Sequence, residues 1–276
     1  MNEIANYNEE EIIETTSTRV DGKPTLDSFF NKDGLLLRVY GWLVKNAIGI
    51  ILLIHGLNSH ARLTFLRHNV EIISKDKAIL KDENNYYVYE NSLVEHFNKN
   101  GYSVYSLDLQ GHGQSDGWEN LSLNINKFDD LVYDVVQYIR KINENLLRLS
   151  DDTSSVTTCE DNLGCKKLLP IYIIGQSMGG NIALRTLEIL GKTRDNDNKI
   201  NIKGCISLSS MISFHKIASP GSYKHKFLYL PSVRIVSGAF PTSRPIIEIP
   251  FRMYPYLNDV ANFDKLRFKQ GITLKY

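Results

Sequence analysis

Ile171-Tyr172-Ile173-Ile174-Gly175-Gln176-Ser177-Met178-Gly179-Gly180 decides how the chain folds. The apolar run Leu169 to Ile174 reads as a short buried strand, and Gly179 to Leu190 reads as a helix closed near Gly191. Between them lies a serine flanked by small residues. Glycines at 175 and 179 allow backbone segments to approach where a side chain would clash, so Ser177 can occupy a sharp strand-to-helix turn with its hydroxyl exposed. The helix that starts behind it favours developing negative charge. Ser177 is therefore the candidate nucleophile, with Gly175 and Gly179 as its elbow glycines.

Outward from this turn, strand and helix signals alternate. Leu35 to Val44, Ala47 to Ile54, Tyr102 to Leu107 and Ile200 to Leu208 read as strands, and Glu90 to Lys99 as a helix that Gly101 closes. Leu131, Val135, Ile139, Ile142 and Leu146 recur at helical spacing, so Phe128 to Leu149 is an amphipathic helix with one face on a sheet. Ser150 to Cys165 reads as a surface loop. Strands separated by helices imply a mostly parallel, buried sheet, hence an α/β fold. No internal repeat is present, and 61–89 reads as an insertion between a strand and its following helix.

A second turn carries chemistry. Ile51-Leu52-Leu53-Ile54-His55-Gly56-Leu57-Asn58 is a strand ending in a His-Gly turn, which points to the backbone N–H of Leu57, together with that of Met178, as the oxyanion hole. His55 itself precedes the turn and reads as the residue that orders it, not as a base. Asp108-Leu109-Gln110-Gly111-His112-Gly113-Gln114-Ser115-Asp116-Gly117 follows a further strand, and its spacing is not that of a phosphate loop.

Composition excludes several alternatives. With 32 Lys+Arg against 31 Asp+Glu the net charge is +1, so nothing calls for nucleic acid as a partner. The longest apolar run is far shorter than the roughly 20 residues of a membrane-spanning helix. The start Met1-Asn2-Glu3-Ile4 lacks the basic and apolar regions of a signal peptide. Cys159, Cys165 and Cys205 have no zinc-type spacing and read as reduced thiols. No metal and no cofactor is expected, and a cytoplasmic or membrane-peripheral location follows.

His-Gly-Leu at 55–57, Asp-Leu-Gln-Gly-His-Gly-Gln-Ser-Asp-Gly at 108–117 and Gly-Gln-Ser-Met-Gly-Gly at 175–180, in this order, resemble the monoglyceride lipase and lysophospholipase group of α/β-hydrolases. The insertion before Glu90 and the turn Asn98-Lys99-Asn100-Gly101-Tyr102 further resemble the lysophospholipase-like PST-A family of malaria parasites, over a stretch from about Asp21 onward. The resemblance implies an acyl-binding cap after the strand that follows the nucleophile helix, and here 212–252 is rich in Phe, Leu, Ile and Tyr. It implies a lipid ester, a lysophospholipid or monoacylglycerol, as substrate, with membrane contact through the cap.

The resemblance also implies two further strands that carry an acid and a histidine, in the chain order Ser, Asp or Glu, His. Neither is found. The last histidines, His215 and His225, fall in the cap, and Asp259 and Asp264 lie in a turn and helix leaving it, not after an apolar strand. The expectation is thus an α/β-hydrolase fold with a helical cap and its last strands missing, from a C-terminally truncated chain. It divides into a polar tail 1–20, a core 21–211 with the insertion 61–89, a cap or lid 212–252, and 253–276 as the start of an incomplete C-terminal part of the core. The activity expected is that of a serine esterase acting through an acyl-serine, inactive or weak without its base. The competing reading is a hydrolase-fold protein that binds lipid or a partner without catalysis.

Overall fold

The computed structural model describes residues 22–152, 159–160, 166–192, 200–210, 230–244 and 252–274. The polar tail, most of the cap and both cap histidines, His215 and His225, lie outside the described residues.

Six strands form one mixed sheet: β1 (Thr25–Phe30), β2 (Leu36–Trp42), β3 (Gly49–Ile54), β4 (Tyr102–Leu107), β5 (Ile171–Gln176) and β6 (Ile202–Leu208). Their order across the sheet is β1-β2-β4-β3-β5-β6. β1 and β2 are antiparallel to their neighbours, while β4, β3, β5 and β6 run parallel. β3 is the central strand, and all six of its residues, Gly-Ile-Ile-Leu-Leu-Ile, are buried. A continuous apolar run is what a parallel strand covered on both faces requires.

The α-helices among the described residues are α1 (Ala61–Phe65), α2 (Leu93–Lys99), α3 (Phe128–Asp152), α4 (Met178–Lys192), α5 (Leu230–Ala239) and α6 (Tyr256–Phe263). Ser92 caps α2: its hydroxyl accepts the Glu95 N–H at 3.2 Å, and the Glu95 carboxylate reaches back to accept the N–H of Asn91, the residue before the cap, at 2.8 Å. α3 presents Leu131, Val132, Val135, Ile139, Ile142 and Leu146 to one face of the sheet, where they pack with Leu52, Ile54 and Ile173. α3 runs three residues beyond the expected Leu149, and Cys159–Glu160 pairs with Lys166–Lys167 in a short ladder, while the rest of the expected loop, 153–158 and 161–165, lies outside the described residues.

β1 is an element the sequence reading did not anticipate. Its sequence, Thr-Leu-Asp-Ser-Phe-Phe, is polar in the middle, and only Phe29 is buried. It is held by a turn: the Asn31 side chain accepts the N–H groups of Asp33 and Leu35, both at 2.9 Å, and Gly34 adopts φ +75°. The sheet's other margin, β6, leaves Ile206 and Leu208 largely exposed, and among the described residues no strand follows Leu208.

The 61–89 insertion is ordered. It contains α1, the pair Arg67–His68 with Tyr87–Val88, and the hairpin Val70–Ser74 with Lys77–Leu80. Ala78 and Tyr86 of this unit pack against Val260 of α6. Polar contacts reinforce the join: the Ala78 N–H donates to Asp259 at 2.9 Å and the Tyr86 hydroxyl to the Val260 carbonyl at 2.6 Å.

Candidate active site

Parallel register brings the two turns together. Gly175 of β5 stands opposite Ile54 of β3, so His55-Gly56-Leu57 and Gln176-Ser177-Met178 leave the same edge of the sheet side by side. A Cβ on Gly56 would lie 3.2 Å from the Ser177 Cβ and 3.7 Å from its Oγ, a direct measure of how closely the turns approach. β4, on the other flank of β3, delivers Asp108 to the same edge. Carboxyl ends of parallel strands are where such folds place their sites.

Ser177 has φ +53°, the left-handed region that a non-glycine residue adopts at a cost of about 1 kcal/mol or more. The turn is overdetermined. The Ser177 N–H donates to the Leu208 carbonyl at 2.7 Å, and its own carbonyl accepts the Gly180 N–H at 3.0 Å. A side chain on Gly175 would strike the Gly179 carbonyl, and one on Gly179 would strike the Ile54 and His55 carbonyl oxygens. Gly180, not singled out from sequence, is also closely approached, since a Cβ there would displace the hydroxyls of Ser207 and Ser210. Ser177 is exposed, Met178 opens α4, and Leu57 is exposed at the neighbouring turn. All five residues expected from sequence, Ser177, Leu57, Met178, Gly175 and Gly179, thus fall at one place on the sheet edge.

His55 is fully buried. Its Nε2 accepts the Leu109 N–H at 2.9 Å, which places the ring proton on Nδ1, facing the Gly56 carbonyl at 2.7 Å. Burial is the main force on its titration, and the pKa drops to about 3. The ring ties the Gly56 turn to the Asp108-Leu109 segment after β4 and has no nitrogen left for Ser177. His112, whose ring centroid is 5.2 Å from that of His55, is also buried and is pushed down to about 3. Asp108 is a hub: one carboxylate oxygen accepts the Ala61 N–H at 2.9 Å, and the other accepts the Tyr40 hydroxyl at 2.8 Å and the Gln114 N–H at 3.0 Å.

Among the described residues one histidine is paired with a carboxylate. His60 Nε2 lies 2.9 Å from Asp264 Oδ2, and both side chains are buried. The Tyr87 hydroxyl donates to the other Asp264 oxygen at 2.8 Å. Burial pushes the Asp264 carboxyl up, but its hydrogen bonds from His60, Tyr87 and the Leu266 N–H outweigh that, and it lies below the usual carboxylate range. Since the Leu63 N–H points at His60 Nδ1 at 3.4 Å, the ring proton is on Nε2 and is given to Asp264. This pair resembles half of a relay, yet both ring nitrogens are occupied away from Ser177. Sequence reading missed His60 and Tyr87 altogether, and no local signal marks them, because their partner is 204 and 177 residues away.

Among the described residues no group of three or more His, Cys, Asp or Glu side chains is arranged to hold a metal, and no helix is long and apolar enough to cross a membrane. A cavity of about 660 Å³ opens beside Lys23, Leu26, Arg62, Tyr87 and Tyr89, and Ser177 does not line it.

Sheet order, flanking helices and elbow together define an α/β-hydrolase fold. Residues 84–249, more than half of the chain, match the family described as serine aminopeptidase, S33, and the chain belongs to that family. Among solved structures it is similar to a soluble variant of monoglyceride lipase from Saccharomyces cerevisiae in complex with a substrate analog, with a TM-score of 0.55 and 17% identity, over 91% of this chain and 64% of the lipase. It is also similar to the alpha/beta hydrolase GrgF from Penicillium sp. sh18, with a TM-score of 0.50 and 14% identity, over 91% of this chain and 70% of that one. At these identities the likeness is one of fold, and the chain spans less than two thirds of the lipase's length. No curated protein sequence matches it.

Proposed function

We infer that Ser177 is the nucleophile of a serine esterase of lysophospholipase or monoacylglycerol lipase type, nearest in style to the malaria-parasite lysophospholipase-like proteins. The observation that carries this reading is the left-handed Ser177, exposed between Gly175 and Gly179 and set against the Gly56 turn. In the full form of such an enzyme, Ser177 Oγ would attack the ester carbonyl carbon while its proton passes to a histidine not found in this sequence, and the Leu57 and Met178 N–H groups would hold the oxyanion. The alcohol leaves with that proton, and water then cleaves the acyl-serine to free the fatty acid. Exposed Ile235, Val236 and Phe240 on and beside α5 suit an acyl chain or a lipid surface.

Among the described residues no histidine hydrogen-bonds Ser177, and feeble turnover of p-nitrophenyl esters at most is the expectation. Added imidazole supplies a base in a direct test. With p-nitrophenyl butyrate and imidazole, the protein should gain one butyryl group, located to the peptide carrying Ser177, and Ser177→Ala should gain none. Absence of acylation in both would defeat the nucleophile assignment. Robust Ser177-dependent turnover without imidazole would defeat the claim that the base is missing. That no base stands beside Ser177 among the described residues favours a second reading, a hydrolase-fold protein that binds lipid without cleaving it. On that reading lysophospholipid binds wild type and Ser177→Ala equally, with no acylation in either.

A further inference from the structure

We propose that Asp264 is a positioning residue that latches the oxyanion turn, Leu57 to His60, from the segment after α6. Its consequence for catalysis rests on the reading of Leu57 as an oxyanion donor.

Three contacts carry the proposal. First, His60 ends the turn, and its ring is clamped between Asp264 on Nε2 and the Leu63 N–H on Nδ1, with the Tyr87 ring packed edge-on at 5.5 Å. Second, the Asn58 carbonyl, one residue beyond Leu57, accepts the Arg267 Nε–H at 3.1 Å, while the Asn58 side-chain amide donates to the Phe268 carbonyl at 3.1 Å and accepts from Arg267 at 3.2 Å. Third, Asp264 also fixes the segment that supplies these groups, since its Oδ1 accepts the Leu266 and Arg267 N–H groups at 2.8 and 3.2 Å. One carboxylate therefore sets the His60 ring and, through Arg267, the Asn58 peptide.

The turn needs such a latch. Asn58 has φ +50°, a conformation that asparagine tolerates but does not prefer, and Leu57 is exposed and lies outside the sheet. From the core side, His55 accepts the Leu109 N–H just before the turn and Asp108 accepts the Ala61 N–H just after it. A donor that must meet a developing oxyanion at about 3 Å loses its value when it wanders by an ångström.

Two readouts test the proposal on the full chain. In hydrogen exchange, the amides of Ala61, Leu63 and Thr64 bond to Asp108, the His60 ring and the His60 carbonyl. Asp264→Asn should speed exchange in the peptide covering 57–64 by at least tenfold, leaving β3 and β5 unchanged, and Tyr87→Phe should give an intermediate effect. Asp259→Asn, which cuts a different contact between insertion and α6, should not loosen 57–64. In the imidazole assay, Asp264→Asn should slow butyrylation of Ser177 at saturating ester at least tenfold, with the half-saturating ester concentration within twofold of wild type. Equal loosening by Asp264→Asn and Asp259→Asn, or loosening of β3 and β5 as well, would mean a merely structural role and overturn the proposal. Unchanged exchange at 57–64 would overturn it too. If wild type is not acylated at all, the esterase reading fails, and exchange alone decides whether Asp264 latches the turn.

Discussion

Replacing Asp134 by asparagine should change how the protein's stability depends on pH, by an amount the structure sets. Asp134 lies on α3 with its side chain buried; Oδ1 accepts the Asn31 amide at 2.9 Å, and Oδ2 has no hydrogen-bond partner. Burial pushes its pKa up to about 7, against the pull of Asn31 and with help from Asp130 and Asp33. His55 and His112 are shifted the opposite way, to about 3. Between pH 7 and 5 the unfolded chain takes up protons on both histidines that the folded protein refuses, which costs roughly 2 kcal/mol of stability per histidine. Over the same interval folded Asp134 takes up a proton that the unfolded chain does not, which adds back about 2 kcal/mol. From these three groups wild type should therefore lose about 2 kcal/mol on acidification and Asp134→Asn about 4, a difference of about 2. His68, whose pKa is also lowered by burial, contributes equally to both proteins. At pH 7 the variant escapes an ionisation penalty of about 4 kcal/mol but strands an amide N–H at a cost of ~1–3, so it should be more stable by about 1–3 kcal/mol. Urea unfolding followed by Trp42 and Trp118 fluorescence at pH 5, 6 and 7 measures this. Parallel pH slopes in the two proteins would refute the assignment of a buried proton to Asp134.

Ser177→Gly should raise stability by about 1 kcal/mol, because glycine adopts φ +53° without strain, while abolishing acylation; equal or lower stability would show that the elbow is not strained. Gly179→Ala should cost at least about 3 kcal/mol, since its Cβ collides with two backbone carbonyls of the neighbouring turn, and a thermal melt within a few degrees of wild type would contradict that packing. Tyr86→Phe removes one buried hydroxyl bond to Val260 and should cost about 1–2 kcal/mol, with faster proteolysis in the 70–80 hairpin as its local signature.

Much of the core was legible because its signals are local. The apolar run of β3, the helical stripe of α3 and the glycine-flanked Ser177 each report on a few consecutive residues. β1 escaped because Asp27 and Ser28 interrupt its apolar pattern, as an exposed margin strand permits. The usable signal was the turn, Asn31-Lys32-Asp33-Gly34, whose chemistry predicts the hairpin to β2. The insertion's length was readable, but its function as a dock for α6 was not, since Tyr86 and Val260 meet across 174 residues. Of the site, Ser177 and the Gly56 turn could be placed from sequence because strand pairing delivers them. His60, Tyr87 and Asp264 could not, because an isolated histidine and tyrosine carry no sign of a carboxylate so far along the chain.

That separation has a consequence for the protein as it is made. A ribosome adding roughly 5–20 residues per second needs about 10–40 s to pass from His60 to Asp264. Through that interval β3, α2, β4, α3 and β5 can all assemble on the emerging chain, whereas His60 and Tyr87 wait without their carboxylate and the face around Ala78 without Val260. The nascent chain thus carries an assembled sheet whose His60 and Tyr87 side chains and Ala78 face meet their partners only when Val260 and Asp264 emerge.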